Sequence, residues 1–216
     1  SPFFGPVVGS NPYGIEGYKT LAYEIVEQLD WQVPDWCILP VCYGDALLGM
    51  WRGFQDMVSF GWINRMPRMV AAEVYGSLGA ALANGADAPP DIRPNAATIA
   101  VSISATRGTY QALDIVRKSG GAAVTIGNED MLRWQDMLSC QEGFFVEAST
   151  AAGLAAVEQL KRSGRIEAQH TVVSLLTASG LKDPSTIASI QPEMIVLPAN
   201  LQDAVTLLRE REIFPR

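Results

Sequence analysis

Residues 15 to 29, IEGYKTLAYEIVEQL, put Leu21, Ile25 and Leu29 on one face at helical spacing, with Ala22 and Val26 beside them. WCILPV then reads as a short buried strand, and ALLGMWRGFQDMVSFG as the helix after it. RMVAAEVY is a second apolar run, ended by Gly76, and ANGADAPPDIRPN is a loop by its Pro, Asp and Asn content. TIAVSIS reads as extended, and TYQALDIVRKSGG as a helix stopped by Gly120 and Gly121. AAVTIG is a strand. Asn128 follows as an N-cap, with Glu129 and Asp130 in the first turn of a helix that ends near Gly143. FFVEA is a short strand, and STAAGLAAVEQLKRSG a helix capped by Ser149 or Thr150. TVVSLLTASG is the most hydrophobic strand, and MIVLPANLQDAVTLLRERE adds a final strand and helix.

This alternation predicts an α/β fold, a mostly parallel sheet flanked by helices, as a single domain over residues 1–216. In such sheets ligands bind beyond the carboxyl ends of the strands. The segments to watch are therefore VCYGD, VEAST and LLTASG.

Composition narrows the function. Hydrophobic residues make up 48% of the 216 and charged residues 18%, enough for a sizeable core. The formal net charge of -7 argues against a basic nucleic-acid-binding surface. No stretch reaches the roughly 18 to 20 apolar residues of a membrane span. The three cysteines, Cys37, Cys42 and Cys140, lack C-x-x-C spacing and read as reduced thiols of a cytoplasmic protein. The single histidine, His170, removes His-based metal clusters, and no metal is expected. It precedes a strand, opposite the strand ends named above, so it reads as an exposed or capping residue. The N-terminal SPFFGPVVGSNPYG lacks a basic n-region and is too apolar for a free terminus; it reads as an internal connecting segment.

Three places could carry chemistry. CYGDAL is a strand end, a glycine turn and a helix start, which together can bind an anion on backbone N–H groups; alternatively Gly44 only makes the turn and Asp45 caps the helix. Thr177, at the end of TVVSLLT, either faces a ligand or is satisfied by backbone in a turn. Glu73 and Glu147 follow apolar runs, but pairing them needs geometry that spacing does not give. Met50, Trp51 and Met57, at helical spacing, read as core.

Taken in order, SNPYGIEGYKTLAYEI, PVCYGDALLGMWRGF, PRMVAAEV, GGAAVTIGNEDML, EASTAAGLAAVEQLKRSG and TVVSLLTASGLKD are similar to the threonine synthases, fold-type II pyridoxal-phosphate (PLP) enzymes. The resemblance runs from about Asn11 to Asp183. NPYGIEGYKT resembles the family's N-P-x-x-x-E-G-x-K-T, and LTASGLKD its L-T-G-H-G-L-K-D. It implies the large cofactor domain of that fold. It further implies a phosphate loop at Cys42, Tyr43, Gly44, Asp45 and Ala46, a Thr177 hydroxyl at the pyridine nitrogen, and Glu147 to Thr150 near the ring. A hydroxyl there implies a largely unprotonated nitrogen and a milder electron sink, suited to β-elimination and replacement. The departures are Tyr43 and Asp45 in a loop usually richer in Gly and Asn, Ala148 for the family's proline, and Ala178-Ser179 for its Gly-His.

The family lysine that holds PLP as a Schiff base lies in a motif like S-x-K-D, which this chain lacks; its four lysines are Lys19, Lys118, Lys161 and Lys182. The expectation is therefore a C-terminal chain or fragment of a PLP-dependent lyase without a catalytic residue of its own. A separate N-terminal chain would carry the lysine, in a dimer of such pairs acting on a small amino acid. Two alternatives remain open: a non-catalytic subunit that kept the fold without binding PLP, and an unrelated α/β module binding another phosphorylated ligand at CYGDAL.

Overall fold

The computed structural model describes residues 12–183 and 195–211. Two helices, α1 (Pro12–Gly17) and α2 (Lys19–Gln28), lead into β1 (Trp36–Pro40) and α3 (Asp45–Ser59). Next come β2 (Arg68–Glu73), α4 (Ser77–Ala83), a 3-10 turn at Val101–Ile103, α5 (Tyr110–Lys118) and β3 (Ala122–Thr125). α6 (Asn128–Glu142), α7 (Ala148–Arg162), β4 (Val172–Ser174) and a 3-10 turn at Gly180–Lys182 complete a first compact unit, residues 1–182. Residues 183–216 form a second; its described part holds α8 (Leu201–Glu210), capped by Asn200 Oδ1, which accepts from Gln202 N–H at 2.8 Å.

Among the described residues four strands pair, all parallel, in the order β3-β2-β1-β4. Helices cover both faces, so β1 and β2 are nearly continuous apolar runs rather than alternating ones. On one face Cys37, Leu39, Met69 and Ala71 meet Leu47, Met50, Phe54 and Met57 of α3 and Leu113 and Val116 of α5. On the other, Trp36, Ile38, Val70 and Val124 meet Met131 of α6 and Ala148, Ala152, Ala155 and Ala156 of α7. The alanines let α7 sit close to the sheet: a Cβ on Gly153 would lie 2.7 Å from Ser174 Oγ. Burying each large apolar side chain of α3 stabilises the fold by about 1.5–3 kcal/mol, which makes Met50, Trp51 and Met57 core, as the helical spacing predicts.

Several elements differ from the expectations. The opening helix is two helices that break at Tyr18. α4 is additional; its N-terminus is held by Glu73, whose carboxylate accepts from Leu78 N–H at 3.0 Å and Gly79 N–H at 2.7 Å. TIAVSIS is not a strand, and Asn128 is not a cap. Asn128 is the first residue of α6, and its amide side chain accepts from Ile99 N–H (3.2 Å) and donates to Ala97 O (3.1 Å). One side chain thus satisfies backbone groups that a ladder would otherwise take. FFVEA makes only an isolated antiparallel bridge, Val146 with Ser179. The strand in TVVSLLTASG is three half-buried residues at the sheet edge. Residues 195–198 form no strand, and Met194 and the N-terminal segment 1–11 lie outside the described residues.

Candidate functional site

A cavity of about 220 Å³ opens at the carboxyl end of β1. Residues 42–46, Glu147 with Ser149, and Thr177 with Ala178 all line it, so the segments after β1 and β4 meet the start of α7 at the carboxyl side of the sheet.

The chain leaves β1 at Pro40, and Val41 N–H still donates to Ala72 O at 2.8 Å. It then turns at Gly44, whose φ of +97° is left-handed. Thr109, the N-cap of α5, fixes this turn: its hydroxyl donates to Tyr43 O at 2.7 Å and accepts from Ala112 N–H at 3.2 Å. The first intrahelical bond of α3 runs from Leu48 N–H to Gly44 O (2.8 Å), so the N–H groups of Asp45, Ala46 and Leu47 precede any helical acceptor. These three residues line the cavity at the positive end of the α3 dipole. The cap position belongs to Gly44, which corrects the reading of Asp45 as a cap. Asp45 is the first residue of the helix, where a carboxylate suits the dipole. Cys42 is half-buried; burial pushes its thiol pKa up, Ala105 N–H pulls it back, and the Asp45 charge raises it further.

The opposite wall is a hydroxyl pair. Thr150 is fully buried in the first turn of α7, and its Oγ1 lies 2.9 Å from Thr177 Oγ1. Thr150 Oγ1 already accepts from Ala178 N–H at 3.1 Å, and Ala178 O, at 3.4 Å, is a poorer acceptor for its hydrogen than Thr177. With Thr150 as the donor of this pair, Thr177, itself exposed, has its own hydrogen for an acceptor in the cavity. Ser149 and Thr150 are not caps: the cap position is Glu147, and both hydroxyls are buried inside α7. Glu147 N–H donates to Ala178 O (3.1 Å) and Gly180 N–H to Phe145 O (3.0 Å), which ties the 177–180 turn to the start of α7.

Charge in the cavity is sparse. Lys182 Nζ, 2.8 Å from Ser102 Oγ and 3.3 Å from Glu147 Oε2, is the one cation among the described residues that lines this cavity. An anion at the turn would thus be held by N–H groups and the helix dipole, with no cation of α3 assisting. Tyr18, Ser102 and Lys182 had no signal as site residues in the sequence; they arrive from the α1–α2 junction and the two 3-10 turns through tertiary packing. Glu73, the other flagged carboxylate, serves α4 and does not line this cavity. His170 sits at the amino end of β4, where Glu167 N–H donates to its Nδ1 at 3.0 Å. Among the described residues no cluster of His, Cys, Asp and Glu could hold a metal ion, and no helix is long and apolar enough to cross a membrane.

An open-N–H turn, a helix start and an opposed threonine hydroxyl suit a ligand with a phosphate at one end and a ring nitrogen at the other. The family model described as pyridoxal-phosphate dependent enzyme matches residues 1–178, and the chain belongs to that family. Pyridoxal 5′-phosphate is the cofactor of this family. Within it the chain is threonine synthase-like. It is 32% identical over 203 residues to the threonine synthase of Methanocaldococcus jannaschii, across 93% of this chain and 50% of that protein. It is 35% identical over 198 residues to that of Methanosarcina acetivorans, across 90% of this chain and 49% of that protein. The chain spans about half the length of the curated relatives it matches. Among solved structures, maize serine racemase matches at a TM-score of 0.64 and 21% identity, covering 82% of this chain and 51% of that one. The T.th. threonine deaminase matches at 0.61 and 21%, covering 78% and 59%. These two establish the fold.

Proposed function

We infer that this chain supplies the cofactor-binding half of a PLP-dependent lyase, acting by β-elimination or β/γ-replacement on a small amino acid. The observation that supports it most is the convergence of residues 42–46 and Thr177 on one cavity. The N–H groups of the 42–46 turn and the start of α3 would hold its phosphate. The Thr177 hydroxyl would meet the pyridine nitrogen, and Thr150, 2.9 Å from it, would orient it. When bound, the cofactor is an electron sink for the carbon next to the amino group; a neutral hydroxyl at its nitrogen keeps that sink mild. Glu147 and Lys182 close the cavity edge beside it.

The lysine that holds the cofactor comes from a separate N-terminal chain, in an assembly of such pairs. The lysines here are otherwise engaged or remote. Lys19 pairs with Glu16 (2.6 Å) and with Asp56 (2.8 Å), about 16 Å along α3 from the turn. Lys118 and Lys161 lie at the far ends of α5 and α7. Lys182 is held by Ser102 and Glu147. Equilibrium dialysis of the chain, alone and with an N-terminal chain, against PLP and against pyridoxal tests this. The assembly should retain PLP, prefer it to pyridoxal, and release 2-oxo acid from serine or threonine. An assembly that retains no PLP refutes the reading.

Asp45 supports a second reading, a non-catalytic subunit that keeps the fold without the cofactor. A like charge at about 4 Å costs on the order of 4 kcal/mol at an effective dielectric near 20. Under this reading Thr177→Ala leaves every activity of the assembly unchanged; under the first it lowers turnover.

A further inference from the structure

The amino ends of the strands carry a second recess, about 370 Å³, lined by Trp36, Arg68, Gly120, Arg165, Glu167 and His170. It lies at the opposite end of β1 from the 42–46 turn and is argued independently of the cofactor reading. Trp36 and Arg68 are direct register partners of β1 and β2, Arg165 follows α7, and His170 precedes β4. The Arg68 guanidinium carbon is 5.0 Å from the centroid of the Trp36 ring and that of Arg165 is 5.5 Å from it. Two like charges are thus gathered on one buried indole.

Neither has an acidic partner among the described residues. Arg165 Nη2 donates to Gly121 O (2.8 Å) and Gly120 O (3.4 Å), which fixes its fork but leaves its other N–H groups open. His170 adds a donor. A backbone N–H can only donate, so the Glu167 N–H at 3.0 Å from Nδ1 puts the imidazole hydrogen on Nε2. Glu167, the one carboxylate that lines the recess, already accepts from Gln169 Nε2 at 2.5 Å, and the neighbouring Asp35 is engaged by Thr171 N–H (2.9 Å) and Arg65 (3.3 Å). Trp36 Nε1 is buried with no partner, one more donor without an acceptor at this place. A chain of formal charge -7 therefore carries here a local excess of cations and donors over acceptors.

We propose that this recess binds a small oxyanion, the phosphate or carboxylate group of a metabolite, between Arg68 and Arg165 with His170 Nε2–H as a third donor. Guanidinium forks match planar or tetrahedral oxyanions through paired N–H bonds. The indole beneath them restrains both side chains before the ligand arrives, which lowers the ordering cost of binding.

His170 is the only histidine in the chain, so labelling its ring nitrogens in untagged protein gives one reporter inside the recess, with or without an unlabelled partner chain. The probes are inorganic phosphate and citrate, against chloride at matched ionic strength. A saturable shift of the His170 ring signals is expected with at least one probe: phosphate alone assigns a phosphate ligand, citrate alone a carboxylate. Arg68 is exposed and makes no side-chain hydrogen bond among the described residues, so Arg68→Gln leaves the fold intact. It should weaken the saturating probe about tenfold or more, with Arg68→Lys in between. A linear shift that chloride reproduces, or a saturable one unchanged in Arg68→Gln, overturns the proposal.

Discussion

Replacing Gly44 by alanine tests whether the 42–46 turn is held in the shape that opens its N–H groups. Two separate costs follow from the geometry. At φ +97° an L side chain is strained, by roughly 1–2 kcal/mol. An added Cβ would also lie 2.7 Å from Ala112 Cβ of α5, well inside van der Waals contact. Ala112 cannot retreat freely, because its N–H is bound to Thr109 Oγ1, which also holds Tyr43 O. Overpacking of this kind costs about 1–3 kcal/mol. The sum, about 2–5 kcal/mol, is a large part of the ~5–15 kcal/mol that holds a domain folded. Urea unfolding followed by circular dichroism measures it, and Ala112→Gly separates the parts. In Gly44→Ala with Ala112→Gly the contact is relieved and the strain stays, so the double variant should recover part of the loss beyond the sum of the singles. A Gly44→Ala loss under about 0.5 kcal/mol, the range of an ordinary surface change, refutes the described turn and the anion cradle built on it.

Asp45→Asn removes the carboxylate from the first turn of α3. Stability should fall by about 0.3–1 kcal/mol through the lost dipole interaction, while PLP binds tighter and pyridoxal, lacking the phosphate, does not; equal changes for both ligands would sink the phosphate assignment. Glu73 is buried, and burial raises its pKa above the usual carboxylate range against the pull of the N–H groups of Leu78, Gly79 and Ser77. The folded state then binds more protons than the unfolded one between the ordinary and the raised value, so stability falls as pH rises through that window. Glu73→Gln should flatten this slope in unfolding measured across acid pH; an unchanged slope assigns it elsewhere. The cysteines should react with a thiol reagent in the order Cys140, Cys42, Cys37: the first is exposed, the second half-buried with a raised pKa, and the third buried with its thiol pushed up to about 12. Labelling of Cys37 before unfolding would contradict the packing of β1.

The legible part of this chain is the part whose burial is regular. Leu21, Ile25 and Val26 mark α2, and WCILPV and RMVAAEVY mark strands, because a parallel sheet covered on both faces needs apolar side chains in both directions. Illegible elements are those where one polar side chain replaces a ladder or a cap. Asn128 has the composition of a cap but is used across 29 residues on Ile99, and Ser149 and Thr150 look like caps yet are buried inside a helix, with Thr150 bound to the 177–180 turn. Polar residue types advertise hydrogen bonding; they do not advertise its partner. The site divides the same way. Gly44 followed by a helix is readable as a turn with open N–H groups, whereas Thr177 acquires direction only from Thr150, 27 residues earlier. Asp45 sits at the junction of both arguments. The positive helix end that favours its carboxylate is the same field that would hold a phosphate, so the two draw on one dipole. An anion at the turn must therefore gain more from the N–H groups of Ala46 and Leu47 and from the α3 dipole than it loses to repulsion by that carboxylate.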